Sequence, residues 1–132
     1  MRSLVRLVLF AIALGASAHA RAEDEVEVSL YWNGQRLTKI CRSYLKASRR
    51  ELLTVAEVQD KGLCQGYVVG AVDAMFTETA ISRTVFFCSP AHTDQTALVE
   101  IVAQYGVAHP EEWTGTGFAL VSHALAKRFP CK

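Results

Sequence analysis

The chain has 132 residues, 51% of them hydrophobic, with 14 Lys+Arg against 13 Asp+Glu. That bounds it to one compact domain of ordinary globular composition and excludes arrays and long disordered regions. A formal net charge of +1 and the absence of any Lys/Arg run exclude the electrostatic footprint that nucleic-acid binding requires.

Arg2 and Arg6 precede an uncharged, mostly apolar stretch from Leu7 to Ala18, too short to span a hydrocarbon core of ~30 Å. Residues 1–20 therefore read as a secretory signal peptide. Cleavage after Ala20 follows the pattern Ala18-His19-Ala20, with Ala22 offering a second site. No cysteine lies near either site for lipidation and no second long apolar run follows, so the mature chain is expected to be exported without a membrane anchor. Residues 21–32 form an acidic lead-in, expected to be poorly ordered or briefly extended where Val26, Val28 and Leu30 alternate. Residues 33–132 form the domain.

Cys41, Cys64, Cys88 and Cys131 are an even set in an exported chain, which reads as two disulfides. Their wide spacing lacks the close ligand pairs of a structural zinc site and leaves no odd thiol for nucleophilic chemistry, so no metal or cofactor is expected.

Helix one follows Asn33-Gly34, with Leu37, Ile40, Cys41, Tyr44 and Leu45 at helical spacing. Ser48 and Glu51 are a possible capping box in what reads as a turn or one short helical turn. Thr54 with Glu57 is a second capping box and opens a long helix two reaching about Ile81. Both its rows, Cys64, Val68, Val72, Phe76 and Leu63, Tyr67, Ala71, Met75, are apolar, so more than one face calls for cover and the helix is expected to lie centrally. Gly66 and Gly70, four apart, point either to close approach of a neighbouring backbone or to tolerated small residues. Thr93 is expected to cap helix three, with face Leu98, Ile101, Val102 and Tyr105. His109-Pro110-Glu111-Glu112 is expected to end it and begin helix four, because Pro suits a first helical position and acids complement exposed N–H groups. Phe118, Val121, Leu125 and Phe129 carry the fourth face, with Pro130 as stop.

Four helices with short links predict an all-α, disulfide-linked four-helix bundle of up-and-down order. In that topology Cys88 and Cys131 fall at one end, which pairs them and leaves Cys41 with Cys64.

Cys41, then CQGYVVGAVDA from Cys64 to Ala74, CSP from Cys88, HPE from His109 and ALAKRFPC from Ala124 to Cys131 resemble, in this order and at these intervals, the Rap/Tai immunity family. The likeness covers roughly Gly34 to Cys131. It implies a periplasmic homodimer that does no chemistry and plugs the active-site groove of a cognate type VI secretion amidase, which cuts peptidoglycan peptides. The family motif falls on Cys64, Gly66, Tyr67, Gly70, Asp73, Cys88, Pro90, Phe129, Pro130 and Cys131, all read as structural: the glycines for close packing, Tyr67 as a buried ring with a bonded hydroxyl, Asp73 as a buried acceptor or cap. Thr114 to Gly117 departs from the pattern, placing four weak helix formers where helix four is expected to start, at about 2–3 kcal/mol against Ala.

No G-x-S-x-G, H-E-x-x-H or phosphate-binding glycine loop is present, so an enzyme is not expected. The alternative reading is a small helical periplasmic chaperone of the acid-stress type, or an orphan binder of the same fold. For partner contact the expected residues are Tyr105, Glu111, Glu112 and Trp113, beside the turn between helices three and four, with Trp113 either an exposed anchor or core.

Overall fold

The computed structural model describes residues 31–132. The signal segment, both cleavage positions and the lead-in up to Leu30 lie outside the described residues.

Helix α1 (Gly34–Ser48) starts at Asn33, whose side chain accepts the Arg36 backbone N–H at 2.8 Å. Its first two N–H groups have no partner within the helix and reach instead across the fold, Gly34 to the Gly115 carbonyl (2.8 Å) and Gln35 to that of Trp113 (3.0 Å). Leu37, Ile40, Cys41 and Tyr44 are buried, as their spacing predicts. The helix ends in a turn in which Ser48 donates to Leu45 and Arg49 pairs with Glu51, so the Ser48–Glu51 capping box does not form.

Helix α2 (Val55–Ser82) carries the full Thr54–Glu57 capping box. Lys46 Nζ lies 2.6 Å from Glu57 and ties the end of α1 to the start of α2. The Lys46 hydrogen bond and the Thr54 backbone N–H hold the Glu57 carboxyl down at about 2, against an ordinary 4.5. Helix α3 (Gln95–Ala108) begins after Asp94, not after Thr93. The Thr93 hydroxyl donates to the Pro90 carbonyl and belongs to the preceding turn. The face that α3 buries is Val99, Val102, Ala103 and Gly106, which leaves Leu98, Ile101 and Tyr105 at its margin.

Pro110 does not open helix four. Residues Pro110–Glu112 form one 3₁₀ turn, and α4 (Gly117–Arg128) starts after Thr116, whose hydroxyl accepts the Ala119 N–H. Of the four weak helix formers, Thr114 and Gly115 are therefore linker, Thr116 is the cap of α4 and Gly117 its first residue. Asn33 and Thr116 form an isolated antiparallel bridge, and the Gly117 N–H donates to the Trp32 carbonyl at 2.8 Å. Trp32 rests on Tyr67 with ring centroids 5.2 Å apart, so the ordered domain takes in a residue assigned to the lead-in.

The four helices make the expected all-α bundle, with α1 as its hub: α1 touches α2, α3, the 3₁₀ turn and α4. Helix α2, expected at the centre, buries one face only. Helix α1 is antiparallel to α2, as alternation requires. The extended return over residues 83–94 then brings α3 antiparallel to α1 as well, with the Tyr44 hydroxyl near the Thr96 carbonyl and Thr38 against Gly106. Disulfides join Cys41 to Cys64 and Cys88 to Cys131, each with Cα atoms 5.0 Å apart.

Close approach does occur at glycines, but not at the expected ones: a neighbouring backbone, that of Glu112 and Trp113, closes on Gly34, and side chains close on Gly106 and Gly117. A Cβ on Gly66 or Gly70 would meet none of the described residues within 4 Å, and both are exposed. A Cβ on Gly106 would lie 2.6 Å from Thr38 Oγ1, and one on Gly117 2.7 Å from the Tyr67 hydroxyl. Asp73 is also exposed and is neither a buried acceptor nor a cap.

Candidate partner-binding site

The turn between α3 and α4 gathers Tyr105, Glu111, Glu112 and Trp113, the residues expected to meet a partner, but it gives them different work. Position 110 is the reason. The Gly106 carbonyl would ordinarily accept the N–H four residues on, and Pro110 has none. The Trp113 indole N–H supplies the missing donor at 2.8 Å, folding the 3₁₀ turn back over the end of α3. Trp113 is half-buried, with the Arg42 guanidinium 5.9 Å above its ring.

Glu112 is the second fixed point. It accepts from the Tyr105 hydroxyl at 3.0 Å and from His123 Nδ1 at 2.7 Å, joining α3 to α4. Burial opposes its charge, yet the hydrogen bonds from His123 and Tyr105 hold the carboxyl below its ordinary value. Burial in turn pushes the Tyr105 hydroxyl up to about 12, helped by its bond to the Glu112 carboxylate.

Glu111 points outward, with two-thirds of its side chain exposed, and meets His109 Nδ1 at 2.6 Å. That hydrogen bond holds its carboxyl below the usual range. The His109 ring stacks on Tyr105 at 4.0 Å, and Lys127 Nζ donates to its other nitrogen at 3.2 Å. With Nδ1–H directed at Glu111 and Nε2 accepting from Lys127, the two contacts select one tautomer.

Beside Trp113 opens a groove of about 660 Å³, with Arg36, Lys39 and Arg42 of α1 along one side and Asp60 at its edge. The turn thus presents an acidic tip next to a basic ridge.

The remaining motif residues lie elsewhere. Tyr67 is half-buried under Gly117; burial pushes its hydroxyl up, opposed by a backbone hydrogen bond from Phe118. Phe129 packs against Phe87, its carbonyl accepting the Cys88 N–H at 2.9 Å, while Pro90 and Pro130 are exposed. The structure adds His109, His123 and Lys127 to the site, which the sequence reading leaves out of the partner-contact residues. The i, i+4 spacing of His123 and Lys127 put them on one face of α4, and the His109-x-Glu111 pair was the available clue.

All four cysteines are in disulfides, and among the described residues no group of His, Cys, Asp or Glu could hold a metal ion. No helix among them is long and apolar enough to cross a membrane.

A family model, Rap1a immunity proteins, matches residues 33–131. The chain belongs to that family. The match runs from the cap of α1 to the last cysteine and so takes in every contact of the site. No curated protein and no solved structure matches the chain. Family membership assigns an immunity role, which requires a cognate effector as partner.

Proposed function

We propose that the protein is exported to the periplasm, where as a homodimer it binds and inhibits a type VI secretion amidase that cleaves peptidoglycan peptides. The observation that carries this reading is the family match over residues 33–131. Four cysteines paired in two disulfides fit an oxidising compartment.

The α3–α4 turn fits the contact. A segment that enters an enzyme cleft binds tightly when its shape is set beforehand, since little ordering is then left to association. The Trp113 bond to Gly106 and the Glu112 bridge between Tyr105 and His123 supply that rigidity. Glu111 and Pro110, both exposed, form the tip. On this reading Glu111 touches the partner, and Tyr105, Glu112 and Trp113 position it.

The test is titration of the mature, disulfide-bonded chain against the amidase effectors of the same strain, with peptidoglycan cleavage as readout. One amidase should be bound with sub-micromolar affinity and silenced, and Glu111→Arg should weaken binding at least tenfold at an unchanged Tm. Failure to inhibit any of them, with denatured clients instead kept soluble at acid pH, would replace this reading with the chaperone.

A further inference from the structure

Helix α2 is the longest among the described residues, 28 residues or about 42 Å, and none of them covers one of its faces. Between Val55 and Ala74 its exposed residues include only one charge, Asp73. Val55, Val58 and Leu63 are 79%, 57% and 51% exposed, and Phe76 and Ile81 continue the surface. A solvated helix face is normally lined with charge, and an apolar one of this length marks an interface. In the middle lie Gly62, Gly66 and Gly70, at successive steps of four, with open space above each. Apart from proline no residue weakens a helix more than glycine, and among the described residues nothing uses the room that the three leave.

We infer that this face of α2 is where a second copy of the chain docks, the two α2 helices lying antiparallel across a twofold axis at Gly66. This deepens the homodimer of the proposed function by naming its interface, and rests on that reading only for the existence of a dimer.

The pattern is complementary to itself. About an axis at Gly66, Gly62 faces Gly70 of the partner subunit, so three glycine contacts let the backbones approach closely. Bulk then meets small side chains on either side: Phe76 lies over the partner's Ala56, and Val58 over the partner's Ala74. The one charge is matched as well, because Asp73 falls opposite the partner's Gln59, whose amide can donate to it. Each relation off the axis occurs twice, as a twofold contact requires, and Gly66 meets its own copy once. Leu52 and Ile81, 95% and 75% exposed, extend the apolar surface past the two ends of the paired stretch, so the contact is not confined to the glycines; specific interfaces begin at ~1,200 Å².

The experiment is sedimentation of the mature, disulfide-bonded protein at tens of micromolar, beside Gly66→Glu and Gly66→Cys. The parent should sediment as a dimer. Gly66→Glu should be a folded monomer with its helical signal and both disulfides intact, since the position is open within the chain. On oxidation Gly66→Cys should form a covalent dimer, whereas Gln104→Cys on exposed α3 should not. A monomeric parent, a dimeric Gly66→Glu or an uncrosslinked Gly66→Cys would overturn the interface. Amidase inhibition is measured separately: inhibition by a monomeric parent refutes this pairing alone, and a dimer that inhibits no amidase refutes the function alone.

Discussion

Replacing Trp113 tests whether this side chain holds the turn or simply stands exposed on it. Trp113→Phe keeps an aromatic ring but removes the indole N–H, and the buried Gly106 carbonyl then has no donor, because Pro110 cannot supply one. An unsatisfied buried polar group costs about 1–3 kcal/mol. In a domain of this size that corresponds to about 4–8 °C in Tm per kcal/mol. Trp113→Ala also loses the ring; a fully buried Trp→Ala costs about 3–5 kcal/mol, and for a half-buried ring about 2–3 kcal/mol is expected. Thermal unfolding followed by far-UV circular dichroism, with both disulfides intact and reversibility checked, should rank parent, Phe and Ala in falling Tm. Pro110→Ala offers an internal control. It restores a backbone N–H four residues after Gly106, so it should recover part of the loss in Trp113→Phe, with a coupling of about 0.5–1.5 kcal/mol. If both Trp113 variants melt within a degree of the parent, the indole bond supports nothing and Trp113 is a free anchor.

Glu57 predicts a pH dependence. Its carboxyl is depressed to about 2 in the fold, so its contribution to stability is complete above its ordinary 4.5 and drains away as pH falls toward 2. Glu57→Gln should therefore lower Tm at neutral pH, and its deficit against the parent should close between about pH 4.5 and 2; a deficit that is constant with pH would contradict the Lys46 and Thr54 contacts. The disulfides should differ in access, since Cys41 and Cys64 are 1% and 0% exposed while Cys88 and Cys131 lie at the surface. Mild reductant with alkylation and peptide mapping should label Cys88 and Cys131 first, and loop entropy over separations of 43 and 23 residues sets the loss at about 4 and about 3.4 kcal/mol. Earlier labelling of Cys41 and Cys64 would contradict their burial.

Helices α1 and α2 are legible in the chain because what starts and covers them is local. Asn33 and Thr54 are caps whose partners lie three residues on, and the apolar spacing of α1 is filled by the residues it predicts. The glycines are not legible in the same way. Gly66 and Gly106 both sit inside helical patterns, and the difference between them is which neighbour arrives: Thr38 comes against Gly106, while none of the described residues comes against Gly66. The double apolar pattern of α2 carried real information of another kind. It asks for cover on a second face, and among the described residues only the first is covered.

The start of helix four shows where local rules are outvoted. Proline followed by two acids is a good helix beginning, and Thr-Gly-Thr-Gly is a poor one. Even so the acids end in a 3₁₀ turn, and the poor formers lead into the helix. The competing demand comes from α1, whose first N–H groups need acceptors and find them in the Trp113 and Gly115 carbonyls. A helix continued from Pro110 would commit the Trp113 carbonyl to the Gly117 N–H, which goes instead to Trp32. One element of this arrangement could have been read in advance. A proline four residues after Gly106 guarantees a carbonyl without its helical donor, and in a segment that turns back on itself the nearest strong side-chain donor beyond that proline is the Trp113 indole. The same reasoning separates the tip from its support: a group that repairs a backbone defect is held in place by it, and Glu111, which repairs none and bonds to His109 at the surface, keeps two-thirds of its side chain open to a partner.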